Sequence, residues 1–235
     1  MSQELVIIPL YNEEQHIRAV LEELRRHYLG HILLINDGSA DNSTQVLLNI
    51  ASNSVRTMCH SSNQGYGASL MAGFNYAVEN DYKFVVTMDC DWQHEPQCIP
   101  LFLNEVSQIE VVSGSRYLKP ELDVSSAPPD REEINRRVTS IINQITGFHL
   151  TDAFCGFKAY QVKALAKLKL DERGYGFPLQ FWIQAAHFGL RVKEIAVPRI
   201  YLDFSKTFPG ELSNAEKRMN YYFSIIEKER VKWKM

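Results

Sequence analysis

Two carboxylates separated by one residue, Asp89 and Asp91, are the side chains of this sequence best suited to chemistry. They follow the apolar run Phe84–Met88, and a backbone turn at that point would let both approach one hard cation. Mg²⁺ or Mn²⁺ accepts one or two carboxylates, with water and substrate phosphate oxygens completing its shell, and neutralises a departing diphosphate. Gln93 offers a neutral oxygen from the same turn. A solvated acidic turn before the next helix is the alternative, so the context of the motif must decide.

That context is a regular alternation of strand and helix through the first half of the chain. Short apolar runs predict strands at Leu5–Pro9, Ile32–Ile35, Val55–His60, Phe84–Met88 and Glu110–Ser113. Helical spacing of apolar residues predicts helices at Glu13–Arg26, Asn42–Ser52, Ala68–Asn80 and Pro96–Gln108. Unbroken apolar strands that alternate with helices predict an α/β fold, with a mostly parallel sheet and helices on both faces.

The second half of the chain is less regular. Leu118–Asp130 is rich in proline, serine and acidic residues, which predicts a surface loop. Helices are predicted at Arg131–Thr146, Gly176–Phe188 and Ser213–Trp233, and strands at Gly156–Tyr160 and Arg191–Val197. We predict a main domain over residues 1–212 and a helical tail over residues 213–235.

Polar segments follow all five strands of the first half, at residues 9–13, 36–39, 63–67, 89–91 and 114–117. Ligands bind at the carboxyl ends of strands in a doubly wound sheet, so these segments together predict one site. Gly65 and Gly67 would let the backbone approach a ligand, and Gly67 opens a helix whose N-terminus favours anions. The basic residues available to phosphates are Arg116, Arg136, Arg137 and Lys206. Each alone is more typical of a surface charge, except Arg116, which is favoured by its place after a strand.

Several other classes of protein lack support in the sequence. No Gly-Lys-Ser/Thr follows the glycines and no Gly-x-Gly-x-x-Gly follows the first strand, which argues against a P-loop and a dinucleotide fold. A net charge of −3 argues against nucleic-acid binding. The spacing of Cys90, His94 and Cys98 would suit zinc on one helix, but Pro96 interrupts that helix, and buried thiols are favoured.

In these motifs the chain resembles family-two glycosyltransferases of the GT-A fold, and within them the dolichol- or polyprenol-phosphate mannosyltransferase branch. The resemblance extends from about Leu5 to Lys206. The segments that carry it are Val6–Glu13, Ile35–Ser39, Asn63–Gly67, Met88–Pro96, Gly114–Tyr117, Asp152–Phe157 and Gly174–Phe177.

The resemblance implies inverting, metal-dependent transfer of a hexose, mannose included, from a GDP or UDP sugar. Asp89, Asp91 and Gln93 would hold Mg²⁺ or Mn²⁺, with Asp91 and Arg116 acting on the diphosphate. Residues expected to bind the donor are Pro9, Tyr11, Glu13, Asp37, Gly65, Gly67, Asp89, Arg136 and Lys206. A polyprenyl phosphate acceptor would be consistent with a cytoplasmic protein, peripheral to the membrane face.

The sequence departs from the family's motifs at two positions, and it leaves two alternatives to the implied function open. Asn36 replaces the first acid of the usual Asp-Asp pair, and Lys206 stands where the family usually carries an arginine. A hydroxyl acceptor, such as a saccharide, would need a general base, for which Asp152 is the candidate, whereas a lipid phosphate would not. A nucleotide-sugar binder without activity is the alternative from a different class.

Overall fold

One mixed sheet organises the chain over residues 3–125, 127–201 and 208–235, the part that the computed structural model describes. Within that part, seven strands pair in the order β3-β2-β1-β4-β6-β5-β7. Their bounds are β1 Glu4–Leu10, β2 His31–Asn36, β3 Val55–Cys59, β4 Phe84–Thr87, β5 Val111–Ser115, β6 Lys158–Gln161 and β7 Val192–Ala196. Only β6 runs antiparallel to its neighbours among these strands, which confirms the predicted α/β fold with a mostly parallel sheet.

Helices cover both faces of this sheet. The described residues contain α1 Ile17–His27, α2 Ser43–Ile50, α3 Tyr66–Glu79, α4 Ile99–Val106, α5 Pro129–Thr146, α6 Val162–Leu165, α7 Phe177–His187 and α8 Ala215–Trp233. The stretch predicted as one helix from Pro96 to Gln108 begins as a 3₁₀ turn and continues as α4, which is shorter. No helix of the described ranges is both long and apolar enough to cross a membrane.

The unbroken apolar strands are explained by two cores, one on each face of the sheet. Successive residues of β1 alternate between them: Leu5 and Ile7 join one core, and Val6 and Ile8 join the other. All four are fully buried. A strand whose side chains are buried on both faces shows no polar alternation, which is why these runs are continuous in sequence.

The direction of β6 is a feature that the apolar pattern did not predict. This strand lies between β4 and β5 and pairs antiparallel with both. All four of its residues are buried, so its side chains carry the same burial signal as those of a parallel strand. Its position brings the preceding segment, residues 152–157, to the carboxyl ends of β4 and β5.

The C-terminal helix α8 packs on the same core as α7. Tyr222 and Ile226 are buried in this core, and the buried carboxylate of Glu229 accepts hydrogen bonds from Gln180 and Gln184 of α7. The residues predicted as a helical tail therefore supply part of the hydrophobic core beside the sheet.

Gly65 and Gly67 pack against the protein's own backbone. A Cβ on Gly65 would lie 2.4 Å from the carbonyl oxygen of Arg173, and one on Gly67 would lie 2.2 Å from that of Glu172. Gly65 also has a φ of 105° and a ψ of 159°, a region open to glycine almost alone. These glycines allow the segment before α3 to approach residues 172–174, whereas the sequence suggested the approach of a ligand.

This packing predicts a large loss of stability in Gly65→Ala. Backbone strain and the clash with Arg173 together should lower the free energy of unfolding by about 3 kcal/mol. Gly147→Ala is the matched control, because Gly147 also has a positive φ but a Cβ there would meet no atom within 4 Å. We expect a cost of about 1 kcal/mol for the control. Urea unfolding of both variants measures the difference, and equal costs would contradict the close-approach explanation.

Candidate active site

A cavity of about 230 Å³ opens at the carboxyl ends of β4 and β5. Its acidic side, which we call the acidic turn, consists of residues 89–93 and contributes Asp89, Asp91 and Gln93. The positive charges of the cavity come from a group of arginines and aromatic residues that we call the basic wall: Arg116, Arg131, Tyr201, Phe208 and Arg218. The cavity therefore combines carboxylates with three arginines and several aromatic rings.

Asp89 is positioned by hydrogen bonds at both its backbone and its side chain. Its backbone N–H donates to Nδ1 of His94 over 2.9 Å, and the hydroxyl of Tyr66 donates to its Oδ1 over 3.2 Å. A Cβ on Gly156 would lie 2.9 Å from Asp89 Oδ2, so a side chain there would displace the carboxylate. The carboxylate is thus held in a narrow space between β4 and the segment that precedes β6.

His94 acts as a neutral hydrogen-bond acceptor beneath the acidic turn. Burial lowers the pKa of His94 to about 4, against the opposing effect of Asp91, so its Nδ1 stays unprotonated at neutral pH. The ring stacks on Phe157 at 5.0 Å between centroids. The sequence suggested this histidine only as a weak zinc candidate, and its structural contact is with the backbone of Asp89.

A tight turn brings Asp91 and Gln93 together. Trp92 has a φ of 64°, which is unusual for a residue with a bulky side chain. Gln93 donates to Asp91 from its backbone nitrogen over 3.2 Å and from Nε2 over 2.9 Å. Strained backbone of this kind persists where surrounding contacts fix it, and it is concentrated at functional sites.

The donor atoms of the acidic turn are suited to a small hard cation. Asp89 and Asp91 supply carboxylate oxygens and Gln93 an amide oxygen, which is the ligand chemistry of Mg²⁺ and Mn²⁺. Desolvation raises the pKa of Asp89 even though Tyr66 and Lys158 act in the other direction, and a bound cation would favour its charged form. Among the described residues no cluster of three or more His, Cys, Asp or Glu side chains has metal-binding geometry. Two carboxylates suit an ion that also takes substrate oxygens.

Arg116 and Asp152 form a buried ion pair at the cavity floor. Arg116 Nε lies 2.7 Å from Asp152 Oδ2, and Nη2 lies 3.0 Å from Oδ1, which is a two-pronged contact. Asn135 donates to Oδ1 over 2.7 Å, and the backbone N–H of Phe154 donates to the same oxygen over 3.1 Å. The Asp152 side chain is fully buried, whereas Arg116 reaches the cavity.

These contacts argue against the general-base role predicted for Asp152. Burial acts to raise the pKa of Asp152, but the charge and hydrogen bonds of Arg116 outweigh it and lower the pKa to about 2. A carboxylate with so low a pKa is a weak base at neutral pH. Asp152 is also absent from the cavity lining, and its carboxylate contacts Arg116 instead.

The predicted donor residues from the first three strands lie outside the cavity lining. Both carboxylate oxygens of Asp37 accept backbone hydrogen bonds, from Gln64 over 2.9 Å and from Gly65 over 2.8 Å. Pro9 is buried in β1. Glu13 pairs with His16 at 2.5 Å, and Tyr11 is exposed beyond the end of β1. Their donor contacts remain predictions.

Of the other predicted phosphate residues, Arg136 does not line the cavity. Arg136 is exposed on α5 and pairs with Glu133 at 2.7 Å, so its charge is directed away from the site. Lys206 lies outside the described residues. Arg131 and Arg218 line the cavity instead.

The arginines and aromatic residues of the cavity wall were largely missed from sequence. Arg131 marked only the start of a predicted helix, and Arg218 lay in a segment without a recognised motif. A sequence signal existed for Arg116, which was predicted, and for the rings that lie inside the motif segments: Tyr66, Tyr117, Phe154 and Tyr175. The others come from distant parts of the chain, and no local spacing connects them.

The buried ion pair predicts a specific dependence of stability on pH. Because the pKa of Asp152 is lowered from the usual 3.8 to about 2 in the folded state, the stabilisation exists above pH 4 and is lost as the pH falls towards 2. The loss should be about 2 kcal/mol. Asp152→Asn should remove this portion of the dependence and, by leaving Arg116 unpaired, lower stability at pH 7 by about 3 kcal/mol.

Glu110→Gln is the matched control for this measurement. The pKa of Glu110 is also lowered to about 2, mainly by its hydrogen bond with Arg191. The two carboxylates differ in how deeply they are buried. The arginine of that pair is 64% exposed, so salt screens the interaction and its contribution is small. Chemical unfolding at pH 7, 4 and 3 distinguishes the two, and equal effects would contradict the role of Asp152.

Several known glycosyltransferases are similar to this chain in sequence. In sequence, the chain is 30% identical over 199 residues to an undecaprenyl-phosphate mannosyltransferase of Micrococcus luteus, covering 82% of each chain. It is 30% identical to a polyprenol monophosphomannose synthase of Mycolicibacterium smegmatis, covering 82% of this chain and 76% of that protein. A UDP-N-acetylglucosamine–dolichyl-phosphate N-acetylglucosaminyltransferase of Methanococcus voltae is 28% identical over 87% of this chain and 89% of its own.

In structure, the fold is similar to glucosyl-3-phosphoglycerate synthase of Mycobacterium tuberculosis, crystallised with Mn²⁺, UDP and glucosyl-3-phosphoglycerate. The TM-score is 0.71 at 15% identity, over 96% of this chain and 79% of that one. The model of the family described as glycosyl transferase family 2 matches residues 5–169, which is more than half of the chain. With the GT-A-like sheet and the relatives above, this match shows that the chain belongs to glycosyl transferase family 2.

Proposed function

We propose that this glycosyltransferase moves a hexose from a nucleoside-diphosphate sugar to a polyprenyl phosphate, with inversion at the anomeric carbon. The observation that carries the proposal is the composition of one cavity, in which the acidic turn faces the same space as the three arginines of the basic wall. Carboxylates suit a donor diphosphate through a cation, and arginines suit an anionic acceptor. Mannose is the first sugar to test, because two relatives are named for its transfer.

The donor side of the proposal rests on Asp89, Asp91 and Gln93. Their oxygens would hold Mg²⁺ or Mn²⁺, and the ion would neutralise the diphosphate as it leaves the sugar. A structural neighbour contains Mn²⁺ together with UDP, which supports the same pairing here. Gln93 must turn its amide oxygen towards the ion, because its Nε2 now donates to Asp91. GDP and UDP sugars are both candidate donors.

The acceptor side follows from the state of Asp152. A hydroxyl acceptor needs a base to remove its proton, and the carboxylate that the sequence offered is buried and bound to Arg116. A phosphate acceptor is already anionic and needs no base. Arg116 and Arg131 line the cavity and would favour its charge. Relatives named for undecaprenyl phosphate, polyprenol monophosphomannose and dolichyl phosphate support a lipid phosphate acceptor.

A lipid phosphate acceptor also has a consequence for location. Because its isoprenoid chain lies in a bilayer, the enzyme would work in peripheral contact with a membrane, on the cytoplasmic face. Flotation with vesicles that contain polyprenyl phosphate would measure this contact.

Removal of either carboxylate should abolish metal-supported transfer. Asp89→Asn and Asp91→Asn should each lower the rate at least about 100-fold, since metal stabilisation of a leaving group contributes several kcal/mol. Asp81→Asn is the matched control: Asp81 is exposed at the end of α3, and asparagine tolerates its φ of 56°. Release of nucleotide from GDP-mannose and UDP-sugars with Mn²⁺ measures the rate. Full activity in both variants would contradict the donor assignment.

The acceptor proposal predicts a difference between a lipid phosphate and the matching alcohol. With wild-type enzyme, Mn²⁺ and GDP-mannose, or UDP-glucose and UDP-N-acetylglucosamine in parallel, sugar should be transferred to undecaprenyl phosphate and not to undecaprenol. Transfer to the alcohol or to a saccharide would favour the hydroxyl acceptor. Binding of a donor without turnover on any acceptor would favour a nucleotide-sugar binder.

A further inference from the structure

Arg218 lies on α8, outside residues 5–169 of the family match, and yet it lines the cavity. The residue is only 2% exposed. Its Nη1 donates to the carbonyl oxygen of Leu212 over 2.7 Å, and its Nη2 lies 2.6 Å from Oδ2 of Asp130. Asp130 belongs to the first turn of α5, so one guanidinium joins α8 to the start of α5. These contacts direct both nitrogens to the protein itself.

The face of the same guanidinium packs against Phe208. Its Cζ lies 4.6 Å from the centre of that ring. Arg131 approaches the same ring, with Cζ at 5.2 Å, and Tyr175 meets it edge-on at 5.1 Å between centroids. Cations over a ring face are attracted by its quadrupole, so the two arginines hold Phe208 between α5 and α8.

These contacts continue from Phe208 to the acidic turn. The ring of Tyr175 stacks on that of Tyr66, with 6.2 Å between centroids and 7° between planes. The hydroxyl of Tyr66 donates to Asp89 Oδ1. A continuous row of packed side chains therefore connects α8 with the predicted metal ligand, and Phe208 is the member that faces Arg131.

A second contact of α8 supports the loop that carries Tyr175. The hydroxyl of Tyr221 accepts from the backbone N–H of Gly176 over 3.0 Å and donates to Glu172 over 2.5 Å. Residues 172–174 in turn pack against Gly65 and Gly67. The helix thus supports the surroundings of the cavity at two points: Arg218 is part of the basic wall, and Tyr221 holds the loop of Tyr175.

We infer that Arg218 is a positioning residue for the acceptor, acting through Phe208 and Arg131. The inference rests on the proposed function, since it takes the basic wall as the place of the acceptor phosphate. Arg218 itself donates to Leu212 and pairs with Asp130, so it acts by fixing the ring of Phe208, against which Arg131 also packs. The C-terminal helix is therefore part of the acceptor site.

Arg218→Gln tests this role, with Arg230→Gln as the matched control on the same helix. Arg230 forms an exposed pair with Glu227 and lies outside the cavity lining. In Arg218→Gln the KM for undecaprenyl phosphate should rise roughly tenfold, with the KM for the sugar donor within about twofold of wild type. Arg230→Gln should leave both unchanged. Arg218→Lys should give an intermediate KM, because lysine can reach Asp130 but has no planar fork for a second contact.

The acceptor KM of variants at Phe208 distinguishes a positioning role of Arg218 from a general role in stability. Phe208→Leu should raise the acceptor KM by a similar factor. The double variant should show little further increase, because both changes remove the same contact. Additive effects would overturn the inference. So would an unchanged acceptor KM in Arg218→Gln, or equal rises in donor and acceptor KM with a lowered Tm.

Failure of the proposed function can be separated from failure of this inference. If the wild-type chain transfers sugar to no lipid phosphate, the proposed function fails by itself. Calorimetric titration of wild type, Arg218→Gln and Arg230→Gln with farnesyl phosphate then tests the inference without turnover. Weaker binding in Arg218→Gln alone supports it, and equal binding by all three proteins overturns it.

Discussion

A buried carboxylate, Asp152, connects more parts of this site than any other group described above. It accepts both prongs of the Arg116 guanidinium after β5 and the amide of Asn135 on α5, and its backbone N–H donates to Glu194 on β7. Three elements distant in sequence are thereby fixed around one charge. Such a charge is stable in a protein interior only when it is paired and fully hydrogen-bonded. The exact position of Arg116 in the cavity is a consequence of that requirement.

The same requirement divides the chemistry of the cavity. A carboxylate that is paired with an arginine binds a proton only weakly, and the low pKa of Asp152 reflects that pairing. Asp89 lies in the opposite situation, because burial raises its pKa while Tyr66 and His94 fix its position. The charge of Asp152 is therefore compensated within the protein, whereas the charged form of Asp89 would be favoured by an added cation. Under the proposed function, a cation at the acidic turn and an anion at the basic wall would satisfy both sides.

Aromatic packing relates these two sides to the C-terminal helix. Phe208, Tyr175 and Tyr66 form a row of rings between Arg218 and Asp89. Rings suit such a row because they are large and rigid and lose little conformational entropy on burial. Variation in the last helix would then alter the acceptor side of the cavity while the strand ends that carry the family motifs stay unchanged. Under the proposed function, the donor residues Asp89, Asp91 and Gln93 would lie within the family match and Arg218 outside it.

Much of the fold could be read from the sequence, because it depends on local pattern. Apolar runs such as β1 and β2 are buried on both faces, and Asp89, Asp91 and Gln93 are close in space because they are close in sequence. Tertiary structure alone decided the direction of β6, the pairing of Arg116 with Asp152 and the arrival of Arg131 and Arg218 at the cavity. It also placed Arg136 in solvent, although that residue is only five positions from Arg131. The physical reason is that hydrophobic periodicity records burial, whereas the meeting of charges across 36 or more residues depends on how helices and strands pack.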